Sequence, residues 1–243
     1  MIRLILVAFF LIAFLILSAI PLLIGEYLIY KNDEKKQQEY CLKVAQAMFR
    51  MLLRLTGSKI TVKGRERIPE GAVLYVGNHR SYFDILVGYT MVPGLTGFVA
   101  KKEMETWPIL SDWMRNVNCL FLNRKDIKEG LKTILEGIEK VKSGVSIWIF
   151  PEGTRSRNGN QMGQFHSGSF RCATKSKCPI VPVALVDSFK VLDQKGSKPV
   201  TVQIHYLKPI CWEEYGDLKT TELAALVKAR IAQAIQAHTG TEA

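Results

Sequence analysis

The chain is short of the residues that build metal centres and disulfide frameworks. It has 5 cysteines and 4 histidines among 243 residues, and no C-x-x-C pair. Cys41, Cys119, Cys172, Cys178 and Cys211 therefore read as reduced thiols, with no disulfide scaffold and no zinc site, as suits a cytosolic setting. Several signatures are missing outright: G-x-x-x-x-G-K-[ST], G-x-G-x-x-G, H-E-x-x-H and G-x-S-x-G. ATP use, nicotinamide chemistry and a serine nucleophile lose their usual supports. Repeats, low-complexity linkers and blocks of like charge are also absent. Acid is scarce against base: 22 Asp and Glu face 33 Lys and Arg, for a net charge of +11. Such an excess implies an anionic partner, either a membrane surface or a phosphorylated substrate. The basic residues are scattered, so no nucleic-acid partner is expected.

One long apolar run is present. Leu4 to Ile24 is apolar apart from Ser18 and Pro21. About 21 residues at 1.5 Å each would cross a hydrocarbon core of about 30 Å. The run is too long for the apolar part of a signal peptide, and no small-x-small cleavage site precedes Glu26. A membrane span is expected, with a kinked interfacial hairpin as the alternative because of Pro21. Lys31, Lys35, Lys36 and Lys43 follow the run, whereas only Arg3 and the amino terminus precede it. The positive-inside rule then puts the body on the cytoplasmic side. Asp33 to Leu55 reads as a second helix, with Leu42, Ala45, Phe49, Leu52 and Leu53 on one face. Residues 1–57 are thus expected to form membrane-anchor helices and residues 58–243 an α/β domain.

In that domain short apolar runs alternate with helical periodicity. Strands are expected at 59–63, 72–76, 97–100, 119–122, 146–150, 180–185 and 200–206, the sixth at an edge or bulged because of Pro182. Helices are expected at 83–91, about 107–114, 168–175 and 220–237. Another runs from Asp126 to Gly144, where Ile127, Leu131, Ile134, Leu135, Ile138 and Val141 keep helical spacing. The fold class that follows is α/β: a single domain with a mostly parallel mixed sheet flanked by helices.

Polar cargo leaves four of the strand ends, where open α/β sheets place their chemistry. The first is Asn78-His79-Arg80-Ser81-Tyr82-Phe83-Asp84. On a regular helix five residues turn through about 500°, so His79 and Asp84 would not share a face. They meet if His79 lies in the turn and Asp84 in the first helical turn beyond it. Asp84 would then hold Nδ1–H and leave Nε2 to accept a proton. The plainer reading is a polar turn in which Ser81 or Asn78 caps the helix. The other three ends offer Lys101, Arg124 and Glu152-Gly153-Thr154-Arg155. Arginine forks and lysine charges suit phosphate, and Gly153 allows close backbone approach. His166 and His205 read as surface or packing residues.

These residues carry a resemblance. Asn78-His79-Arg80-Ser81-Tyr82-Phe83-Asp84 resembles the NHxxxxD box of glycerolipid acyltransferases. Phe121-Leu122-Asn123-Arg124 resembles their second box, Phe150-Pro151-Glu152-Gly153-Thr154-Arg155-Ser156 their third and Ile180-Val181-Pro182-Val183-Ala184 their fourth. The boxes stand in the family's order and are most similar to those of 1-acyl-glycerol-3-phosphate acyltransferases. The resemblance implies direct acyl transfer at a membrane, from acyl-CoA or an acyl carrier protein to lysophosphatidate. His79 and Asp84 would be catalytic. Lys101, Arg124, Glu152, Gly153, Thr154 and Arg155 would form the substrate phosphate site, and no metal or other cofactor would be needed. Asn123 departs from the Asp that this subfamily often has. Two other readings stay open: a different lysophospholipid or membrane alcohol as acceptor, and a non-catalytic, membrane-tethered protein that binds anionic lipid.

Overall fold

The computed structural model describes residues 2–24, 32–156, 160–193 and 200–239. Two long helices come first, α1 (Ile2–Ile24) and α2 (Glu34–Leu55). The body then runs β1 (Lys59–Lys63), β2 (Leu74–Gly77), α3 (Phe83–Met91), β3 (Thr96–Lys101), α4 (Leu110–Asn116), β4 (Leu120–Leu122), α5 (Ile127–Lys142) and β5 (Ser146–Ile149). It ends with α6 (Arg171–Ser176), β6 (Ile180–Val186), α7 (Lys190–Asp193), β7 (Thr201–Tyr206), α8 (Trp212–Tyr215) and α9 (Thr220–Thr239). Helix starts follow the expected chemistry. Asp33 accepts from the Lys36 amide, and Asp126 accepts from the amides of Lys128 and Glu129, which satisfies donors a helix leaves orphaned.

The strands form one sheet in the order β1-β7-β6-β2-β5-β3-β4. Among the described pairings only β6 with β7 is antiparallel. The sheet is therefore mostly parallel, as expected, and β2, β3, β4, β5 and β6 all end at one edge. Alternate residues of β2 serve two cores. Tyr75, with Val73 just before the strand, joins Cys41, Leu42, Ala45 and Leu53 of α2, Phe83 and Val87 of α3, and Trp113 of α4. Leu74 and Val76 join Ile138 and Val141 of α5, Ala173 of α6, and Leu223, Val227 and Ile231 of α9.

The structure corrects two expectations. Among the described residues no helix is long and apolar enough to cross a membrane. Instead α1 lies along the body, where Trp113 donates from Nε1 to Ser18 Oγ at 2.9 Å, Phe14 packs on Trp113 and Leu22 is buried. A helix held on one side by protein has only its other side to offer to anything else. The second concerns Pro182: of the two readings, edge or bulge, the edge is excluded, because β6 lies inside the sheet. The Pro182 carbonyl accepts from the Leu207 amide, one residue past the end of β7. Pairing resumes at Ile180 with Ile210, one residue out of register with Val183 and Tyr206, so a bulge lies opposite the N–H that proline lacks. α5 forms where its spacing places a helix; Ile134, Ile138 and Val141 face the core, whereas Ile127, Leu131 and Leu135 are exposed.

His205 and His238 stack in parallel, with ring centroids 4.0 Å apart. Burial, then His238 and Lys63, push the His205 imidazole down to about 4. The folded state keeps this ring neutral while the unfolded chain protonates it near 6.5. The unfolded state therefore binds more protons between about pH 4 and 6.5, and stability falls as pH drops through that window. Melting of His205→Gln should depend less on pH there than wild type, and identical pH slopes would contradict the reading.

Candidate active site

The parallel topology collects four loops at one sheet edge. His79 leaves β2, and the segment from Phe150 leaves the neighbouring strand β5 and wraps it. The His79 amide donates to Glu152 Oε1 at 2.7 Å, and the His79 carbonyl accepts from the Ser156 amide at 3.0 Å. One face of the imidazole stacks on Phe150, with centroids 4.2 Å apart and planes 14° off parallel. Gly77 makes room for this ring, because a Cβ there would come within 3.2 Å of Phe150 Cε1.

Asp84 completes the hold on the histidine. Its Oδ2 lies 2.9 Å from His79 Nδ1 and accepts from the amides of Arg80 at 2.6 Å and Ser81 at 2.8 Å. A carboxylate oxygen only accepts, so Nδ1 carries the hydrogen and Nε2 is the basic nitrogen. Asp84 is fully buried, whereas the His79 side chain keeps 14% of its surface exposed. The capping reading holds in part, since Ser81 Oγ accepts from the Phe83 amide at 3.3 Å. Asn78 does something else. Its side-chain amide donates to the Leu185 carbonyl and accepts from the Leu185 amide, at 2.8 and 2.7 Å. It thus extends the β2–β6 pairing into the turn and fixes where His79 begins.

The cations arrive from the other strands. Arg124 follows β4, and its Nη1 lies 3.3 Å from where a Cβ on Gly153 would stand. Gly153 has φ +69°, a left-handed conformation that costs glycine little. Its missing side chain leaves that space open beside the guanidinium. Arg155 lies over the Tyr82 ring at 3.8 Å, so the sequence motif that supplies His79 also supports this guanidinium. Lys101 is exposed at the end of β3, two strands from β2, and Thr154 is exposed at the turn.

Glu152 stands apart from the cations it was grouped with. It is buried, and its second oxygen accepts from the Gly163 amide at 2.6 Å. Both oxygens are thus engaged by backbone, and the side chain ties β2, β5 and the 160–166 loop together. Buried Arg80 feels both Glu152 and Asp84, which partly offset the effect of burial in lowering its pKa. Asn123 accepts from the amides of Lys125 and Asp126 and donates to Glu129. The departure from Asp therefore falls on a turn residue that holds the start of α5. His166 is exposed beside the Gly153 turn, 3.4 Å from the same Cβ position. Among the described residues no group of three or more His, Cys, Asp or Glu could hold a metal ion.

The stacking of Phe150 and Tyr82 and the backbone grip of Glu152 were not foreseen from sequence. All three residues lie inside the two quoted motifs, which was the available signal.

This arrangement can take a proton at Nε2, on a turn bonded to the segment that carries Gly153 and Arg155. A family model described as Acyltransferase matches residues 59–186. A Mycoplasma pneumoniae protein named "Probable 1-acyl-sn-glycerol-3-phosphate acyltransferase" is 32% identical over 185 residues, 72% of this chain and 68% of that protein. The Escherichia coli 1-acyl-sn-glycerol-3-phosphate acyltransferase is 30% identical over 190 residues, 77% of each chain. The crystal structure of the 1-acyl-sn-glycerophosphate (LPA) acyltransferase, PlsC, from Thermotoga maritima has a TM-score of 0.81 and 25% identity, over 99% of this chain and 98% of that one.

Proposed function

Because this chain belongs to the Acyltransferase family, we propose that it moves a fatty acyl group from an acyl thioester to the free hydroxyl of 1-acyl-glycerol-3-phosphate, giving phosphatidate. One observation carries the reading: an imidazole held by a buried carboxylate at 2.9 Å, on a turn bonded to Glu152 and Ser156, which flank Gly153 and Arg155.

His79 Nε2 takes the proton of the acceptor hydroxyl as that oxygen attacks the thioester carbonyl. Asp84 keeps the tautomer and balances the imidazolium. The tetrahedral intermediate collapses with expulsion of the thiolate, which takes the proton back from Nε2. General-base catalysis of this kind contributes roughly 10²–10⁴ in rate. The acceptor phosphate is held by Arg124 and Arg155, with Lys101 as a further point charge and the open turn at Gly153 and Thr154 beside it. Each charge-assisted bond is worth roughly 1.5–3 kcal/mol. Acyl-CoA and an acyl carrier protein both fit as donor.

The lipid acceptor needs a surface. Ile5, Phe9, Ile12, Ile16 and Ile20 of α1 recur at three- and four-residue steps and are exposed, which suits a helix lying in one leaflet. Lys35, Lys36 and Lys43 are exposed on α2 and suit the anionic cytoplasmic face.

The test is a purified-enzyme assay for free thiol and phosphatidate, run with acceptors that have or lack a bare phosphate monoester. Preference for acceptors without one would sink the assignment. In the same assay Arg155→Ala should raise the acceptor KM roughly tenfold, as loss of one charged contact implies. An unchanged KM would remove Arg155 from the phosphate site.

A further inference from the structure

The exposed side of α5 is the feature that the proposed chemistry does not use. Ile127, Leu131 and Leu135 are 90%, 46% and 54% exposed. At four-residue spacing they line up over about 12 Å of helix. Lys125, Lys128 and Lys132 are exposed beside the end of the row nearer the active site, and α6, packed on α5, adds exposed Arg171 and Lys175. Glu136 and Glu139 lie toward the far end, Glu139 paired with Lys142. The row begins three residues after Arg124.

A bilayer is a poor occupant for it. The outward apolar row of α1 belongs to the sheet face that carries α2, α3 and α4, while α5 covers the opposite face. A sheet and its helix layers, each about 10 Å thick, lie between the two surfaces. One flat membrane does not reach both, so the α5 row faces water. An apolar stripe rimmed by lysines near the reacting end matches an acidic amphipathic helix.

Resting on the acyl-transfer reading, we propose that α5 docks a soluble acidic carrier protein. The carrier's helix would lie along Ile127, Leu131 and Leu135, with its carboxylates on Lys125, Lys128 and Lys132. Docked there, it would present a tethered acyl thioester to the edge where His79 and Arg124 lie. Acyl-CoA has no helix to place on this row, so the surface separates the two donor classes.

The experiment measures binding of a purified phosphopantetheine-bearing acyl carrier protein without an acyl chain, at low and high salt. It compares wild type with Ile127→Ser/Leu131→Ser and Lys128→Glu/Lys132→Glu, and follows acyl-CoA turnover in parallel. Each double variant should weaken carrier binding by on the order of tenfold, as for loss of interface anchors. Salt should weaken wild type more than the lysine variant. Acyl-CoA turnover should stay within about twofold, because none of the four substituted residues belongs to the catalytic or phosphate-binding set. The proposal fails if carrier binding is the same in all three proteins, or if wild type uses acyl-CoA but does not bind the carrier. It also fails if the variants lose vesicle binding or a dimer while carrier binding persists. Carrier binding through the row, with no turnover of either thioester, would leave docking standing and remove the acyl-transfer reading instead.

Discussion

His79→Ala is expected to lower acyl transfer by at least 10²–10⁴-fold, the range for removal of a general base. The ring touches neighbours through one hydrogen bond to Asp84 and one stacked face on Phe150, so the fold should tolerate its loss. Asp84→Asn is expected to approach 10⁴-fold, by analogy with the orienting acid of serine triads. Its cause is separable. An asparagine oxygen can still accept from the amides of Arg80 and Ser81, but it no longer balances the imidazolium. Thiol release and melting temperature, read together, check the pair: activity should collapse in both, while melting changes little in His79→Ala and falls in Asp84→Asn, whose buried carboxylate accepts from three donors. Near-normal turnover in His79→Ala would end the proposed mechanism.

Glu152→Gln is expected to act through His79 and not through the acceptor. The carboxylate accepts one backbone amide on each oxygen, from His79 and from Gly163. Glutamine keeps one acceptor and turns an NH₂ toward the other amide, which leaves a buried donor unmatched. Losing a charged, buried hydrogen bond costs about 1.5–3 kcal/mol. For a chain of this size that is a fall of about 3–12 °C in Tm. The turn carrying His79 then loosens, so kcat should fall, whereas the acceptor KM should hold within about threefold if no phosphate contact is lost. A large rise in KM with unchanged kcat and Tm would instead make Glu152 a substrate ligand.

The contrast between Glu152 and Arg155 shows where sequence stops being informative. Both sit in one seven-residue motif, and both are polar groups at a strand end. In the structure one carboxylate is turned inward onto backbone amides, while the guanidinium lies over Tyr82 at the surface. Nothing in local spacing separates the two directions, because both depend on the distant segment after β2 being brought alongside. Asn78 is similar: its partner, Leu185, is 107 residues away. α5 makes the opposite point. Its periodicity located the helix, yet Ile127, Leu131 and Leu135 point outward because glycines and a threonine lie against the sheet. Thr133 donates to the Phe121 carbonyl, and Gly137 meets Leu120.

The chain's own order of residues determined the alternation of strands and helices, the mostly parallel sheet and the histidine–carboxylate pair. These follow from local forces: apolar periodicity, glycine and proline breaks, and side chains that cap nearby amides. Tertiary structure alone decided that α1 lies against Trp113, that Pro182 is inside the sheet, that Glu152 grips His79 and that α5 keeps an apolar row in water. Each of these depends on which distant segment covers a surface or satisfies a backbone group, and that is settled only when the strands take their order.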